Sequence, residues 1–98
     1  MIKVIYKNNN ITISGHAGYK YAGEDIVCAS LSSIVYTTIN GILNINDKAL
    51  KVTDNKEVFN IDILESDNIT EKLIKSMLDL LKELQRQYPD KIKLSKGE

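Results

Sequence analysis

Along the first fifteen residues, apolar and polar positions alternate. Ile2, Val4 and Tyr6 fall on one side and Lys3 and Lys7 on the other, and Ile11 and Ile13 repeat the pattern after Asn8-Asn9-Asn10. A period of two marks a half-buried strand, and asparagine tolerates the positive φ of a tight turn. These segments are expected to form a hairpin. From Asp25 the period lengthens, with Val27, Leu31, Ile34, Val35, Thr38 and Ile42 on one helical stripe. Its β-branched residues are weak helix formers, but a strand of that length would be unusual. The expectation is a helix capped by Asp25 and ending near Gly41 or Asn44. Residues 49–53 and 56–64 read as a second hairpin around Asp54-Asn55, with Phe59, Ile61 and Ile63 inward and Asn60 and Asp62 outward. Ile69, Leu73, Ile74, Met77, Leu80, Leu81, Leu84 and Tyr88 predict a second helix, with Asn68 and Glu71 as a capping box and Pro89 as its stop. Residues 91–95 read as a short edge strand or a frayed end. The order ββαββα gives an α+β two-layer sandwich: an antiparallel sheet from two hairpins, with two helices over one face.

Composition narrows the class. A chain of 98 residues with 43% hydrophobic content makes one domain, 1–98, with one core. Lys plus Arg and Asp plus Glu number 13 each. That balance argues against direct binding of a nucleic-acid backbone. No wholly apolar run reaches the roughly 18 residues of a bilayer span, and the alternating N-terminus is unlike a signal peptide. The expectation is a cytoplasmic protein with no membrane partner. One cysteine and one histidine can form neither an internal disulfide nor a typical zinc site, and no metal or cofactor is expected.

The single cysteine and histidine carry the chemistry. The stretch from Gly15 to Glu24 holds three glycines and no apolar period, and reads as a mobile loop. Cys28 follows three residues after the expected cap, in what would be the first turn of the helix. Amides there lack intrahelical partners and the dipole favours an anion. A thiol so placed ionises more readily than a free one, and the Cys28 and Ala29 amides would cradle an oxyanion. His16 lies twelve residues upstream, at the end of the second strand. A thiol, an imidazole and open amides are the minimum set for acyl transfer. The plainer reading is a buried cysteine behaving as a small hydrophobe and a solvated histidine. A non-catalytic binding module and a redox-sensing thiol are the alternatives.

The stretch Gly15-His16-Ala17, then Gly23-Glu24-Asp25-Ile26-Val27-Cys28-Ala29, then Ser32, resembles the ribosomal-processing cysteine protease family Prp. The resemblance implies that His16 and Cys28 are catalytic. It also implies a substrate: the short N-terminal extension of a bacterial large-subunit ribosomal protein, cut after a hydrophobic, Phe-containing segment, in support of ribosome assembly. It implies a homodimer, for which the uncovered sheet face with Ile5 offers a surface. Asp25 and Ser32 match family positions. Asp25 reads as the helix cap or as an orienter of His16, and Ser32 lies one turn beyond Cys28 on the same face. Gly18, Tyr19, Tyr21 and Gly23 are expected to form a substrate loop that orders over the bound peptide.

Overall fold

The computed structural model describes residues 1–15 and 22–97, with no side-chain detail for residues 22–25. Seven elements follow in order: β1 (Ile2–Lys7), β2 (Asn10–Ser14), α1 (Ala22–Ile45), β3 (Leu50–Asp54), β4 (Val58–Ile63), α2 (Asn68–Gln87) and β5 (Ile92–Lys96). The α+β sandwich is as expected, with one addition. The C-terminal segment is an ordered strand that pairs parallel to β1, so the sheet is mixed and its order is β3-β4-β2-β1-β5. Ile92 is the reason it does not fray. It is fully buried opposite Ile2, and the Ile2 N–H donates to the Lys91 carbonyl at 2.8 Å.

Local chemistry sets both hairpins. Lys7 pairs with Asn10, leaving Asn8-Asn9 as a two-residue turn in which Asn9 takes φ 57°. Between β3 and β4 the turn residues are Lys56 and Glu57, two residues later than the sequence suggests. Asn55 Oδ1 accepts from the Glu57 and Val58 amides at 3.1 and 2.7 Å, and Asp54 Oδ1 accepts from the Lys56 amide at 2.9 Å. Such side-chain acceptors stand in for a backbone turn.

The core forms where the inner face of the sheet meets the two helices. Val4, Ile11, Ile13, Ile61 and Ile92 from the strands pack in one cluster with Val27, Leu31, Val35, Ile39 and Ile42 of α1 and Ile74, Met77, Leu81 and Leu84 of α2. Residues Ile26–Ile45 of α1 are long and apolar enough, by length and composition, to cross a bilayer. That corrects the expectation that no segment reaches this measure. The apolar stripe faces the sheet, while the outer side of α1 presents Ser33, Thr37, Asn40 and Asn44. The opposite sheet face is uncovered among the described residues. Ile5 is exposed there, beside a network in which the Asn10 side-chain Nδ2 donates to Asn60 Oδ1 and Asp62 Oδ1 at 3.0 and 2.7 Å.

Both helix starts differ from the sequence expectation. The cap of α2 is Asp67, whose carboxylate accepts the Thr70 amide at 2.8 Å, so Asn68 is the first helical residue and the Asn68–Glu71 box does not form. Two short polar residues in succession, Asp67 and Asn68, both suit a cap, and the pattern alone did not separate them. Helix α1 begins at Ala22 rather than after Asp25. Asp25 is therefore not its cap, and Gly23 belongs to the helix rather than to a loop.

Candidate active site

Cys28 is the seventh residue of α1, half-buried and packed against the core. With the helix starting at Ala22, it lies in the second turn. Amides from the second turn onward bond to carbonyls four residues back, and the dipole effect fades within the first turn. The expected oxyanion cradle from the Cys28 and Ala29 amides is thus corrected. These groups lie inside the helix and not at its open end.

The 3.6-residue period places Cys28, Leu31, Ser32, Val35 and Tyr36 on one helix face. Opposite it, the ladder aligns Ile13 with Phe59 and Phe59 with Asp54, one inward-facing row across β2, β4 and β3. These eight residues enclose a mostly apolar cavity of about 270 Å³. At its side the Tyr36 and Phe59 rings meet edge to face, with centroids 5.4 Å apart. An apolar cavity of roughly 150 Å³ is enough for a benzene ring, so this one accommodates an aromatic side chain. Among the described residues, Asp54 is the one charged residue in its lining, and it lies on the edge strand β3.

The structure brings Ser32 into the same cavity as Cys28, one turn further along α1. It places Asp25 three residues before Cys28 on that helix. His16, Gly18, Tyr19 and Tyr21 lie outside the described residues. Tyr36, Phe59 and Asp54 were not singled out from the sequence. Tyr36 had a readable signal, since it stands two helical turns after Cys28 on the same face. Phe59 and Asp54 reach the cavity only through strand register.

Among the described residues, the carboxylates with lowered pKa lie elsewhere, on α2 and at its cap. The Thr70 amide lowers Asp67, a hydrogen bond from Lys75 lowers Asp79, and one from Arg86 lowers Glu83. Among the described residues, no group of three or more His, Cys, Asp or Glu is placed to hold a metal ion.

The cysteine protease Prp family model matches residues 1–93 of the chain. This chain belongs to the Prp cysteine protease family. The ribosomal processing cysteine protease Prp of Staphylococcus aureus is 28% identical over 92 residues, covering 91% of this chain and 87% of the relative. The Mycoplasma pneumoniae Prp is 44% identical over 36 residues, 37% of this chain and 36% of the relative. The crystal structure of the Staphylococcus aureus Prp in complex with a substrate peptide superposes with a TM-score of 0.88 at 24% identity, covering 99% of this chain and 100% of that one. The α+β fold is thus that of Prp, and the cavity beside Cys28 is part of a cysteine protease.

Proposed function

We propose that this Prp protease removes the short N-terminal extension of a bacterial large-subunit ribosomal protein, with Cys28 as nucleophile and His16 as general base. The observation that carries the reading is the position of Cys28 in the wall of a cavity fit for an aromatic side chain. An endopeptidase selects by binding side chains near the scissile bond. A net-neutral chain with an apolar cavity beside its thiol is suited to a hydrophobic, Phe-containing segment rather than a charged one.

In this reading the Cys28 thiolate attacks the scissile carbonyl carbon, and a sulfur–carbon bond forms as the carbonyl opens to an oxyanion. His16 takes the thiol proton and returns it to the departing amine as the C–N bond breaks. Water then hydrolyses the thioester and restores the thiol. Ser32, in the same cavity, positions the thiol or the incoming peptide by hydrogen bonding. Asp25 acts as an orienter of His16, since the cap role falls away with a helix that starts at Ala22. Tyr19, Tyr21, Gly18 and the segment leading into Gly23 contribute to holding the substrate. The protein works as a cytoplasmic homodimer, which light scattering at tens of micromolar tests by mass.

The deciding experiment is mass spectrometry of the extended ribosomal protein incubated with wild-type and Cys28→Ala enzymes. The wild type trims the extension and the variant leaves it intact while remaining folded. Trimming by Cys28→Ala at the wild-type rate overturns the assignment.

A further inference from the structure

The two edges of the sheet are finished differently. At β5, the Leu94 amide donates to Gln85 Oε1 of α2 at 2.6 Å, so a side chain closes that edge. At β3 no such closure exists among the described residues, and β3 is the edge beside the cavity that Cys28 lines. The register shows which backbone groups are open there. The Asn55 amide donates to the Val58 carbonyl at 3.3 Å, which makes Asn55 and Val58 a hydrogen-bonded pair. Such pairs alternate along an antiparallel ladder. Thr53–Asn60 and Lys51–Asp62 are therefore bonded, while Val52 and Asp54 turn their N–H and C=O groups away from β4. The next ladder agrees. The Ile63 amide donates to the Asn9 carbonyl at 2.9 Å, so Phe59 and Ile61 point to β2 and leave Asn60 and Asp62 for β3.

We propose that the peptide substrate binds as an added strand on the free edge of β3, bonded to the backbone of Val52 and Asp54, with one side chain in the cavity that Cys28, Tyr36 and Phe59 line. The proposal rests on the protease reading above and deepens it by naming how the substrate is held. The occupant is an extended, uncharged peptide. Strand addition satisfies open backbone groups irrespective of side chains, and alternate residues then face the same way. Val52 and Asp54 share the inward side of β3 with the cavity row. A residue of the added strand that projects to that side therefore meets Tyr36, and the bond beside it is carried toward Cys28.

Two measurements test this on the intact enzyme. The first is a scan of the ribosomal-protein extension peptide, with one backbone amide N-methylated at a time at positions two to five residues before the cut. The expected kcat/KM falls about tenfold at every second position and little at the others, as loss of single hydrogen bonds at period two requires. Equal losses at all positions, or none, overturn the proposal. The second is Val52→Pro. It removes an N–H that β4 does not use and is tolerated at an edge, whereas Thr53→Pro breaks a ladder bond and lowers stability. Val52→Pro is expected to raise KM about tenfold with kcat and alkylation of Cys28 by iodoacetamide near wild type. Unchanged KM in a folded Val52→Pro enzyme overturns strand addition and leaves the protease reading standing. A wild-type enzyme that cuts none of the peptides overturns both. If Val52→Pro does not fold, the N-methyl scan decides alone.

Discussion

The Tyr36 and Phe59 rings meet edge to face at 70° with centroids 5.4 Å apart, joining α1 to β4 at the cavity that Cys28 lines. The two contribute unequally. Phe59 is 7% exposed and sits in the core, whereas Tyr36 is 44% exposed. Phe59→Ala is expected to cost about 3–5 kcal/mol of stability, measured by urea denaturation. Tyr36→Ala is expected to change stability by about 1 kcal/mol or less and to raise KM for the Phe-containing peptide severalfold, while Tyr36→Phe keeps the ring and the affinity.

Gly15 takes φ +80°, and a Cβ there would fall on the Met1 carbonyl oxygen. Both the backbone conformation and the close approach require glycine. Gly15→Ala must displace the start of β1 or the exit of β2, directly before His16 in the chain. It is expected to lower stability by more than about 1 kcal/mol and to reduce turnover more than binding. Gly41 is the contrast. It lies inside α1 with open space around its Cα, and Gly41→Ala is expected to add roughly 0.5–1 kcal/mol. Thermal denaturation of the two variants should move in opposite directions.

The strands were legible because each buries one face. Ile2 and Val4, Ile11 and Ile13, and Phe59 and Ile61 are all buried as alternation requires. Helix α2 was legible because its apolar stripe has a clear period, although its cap shifted by one residue to Asp67. Strand β5 was only half-legible. Its partner is β1, at the far end of the chain, and no local pattern reports a parallel pairing at that separation. The start of α1 was misplaced because Ala22, Gly23 and Glu24 carry no apolar period, and Gly23 suggested a loop. Of the site, Cys28 and Ser32 share a wall of one cavity, as their spacing implies. Asp54 and Phe59 join them through β-ladder register, which depends on turn geometry more than on residue type.

Asp67 gives α2 a dependence on pH. Its carboxylate accepts hydrogen bonds from the Thr70 amide and hydroxyl, which hold its pKa below the ordinary carboxylate value. A folded-state pKa lower than the unfolded one stabilises the fold at pH values above the unfolded value. That contribution is lost as pH falls through the folded value. Asp67→Asn retains a capping side chain without the titration. Its melting temperature is therefore expected to lie below wild type at neutral pH, with the gap closing as pH falls below the ordinary carboxylate range. Asp67→Ala loses the cap and should melt a few degrees lower at neutral pH. Thermal scans between pH 7 and 2 check both.

The start of α1 at Ala22 bears on how Cys28 is activated in the proposed mechanism. A helix terminus favours a thiolate only within its first turn, and Cys28 lies beyond that turn. In the proposed mechanism activation then comes from a neighbouring charge, and His16 is the chain's one histidine. An imidazolium beside a thiolate favours the anion, whereas a helix dipole would act without it. Iodoacetamide reacts with the thiolate, so its rate at pH 6.5 reads the anionic fraction directly. His16→Ala is expected to slow alkylation of Cys28 at least tenfold at pH 6.5. The two enzymes should react at similar rates above about pH 9, where any thiol near the free value of about 8.5 is ionised. Ser32→Ala should leave the pH profile in place, since a hydroxyl contributes no charge. Equal alkylation of His16→Ala and wild type at pH 6.5 would show that the fold activates the thiol without the histidine.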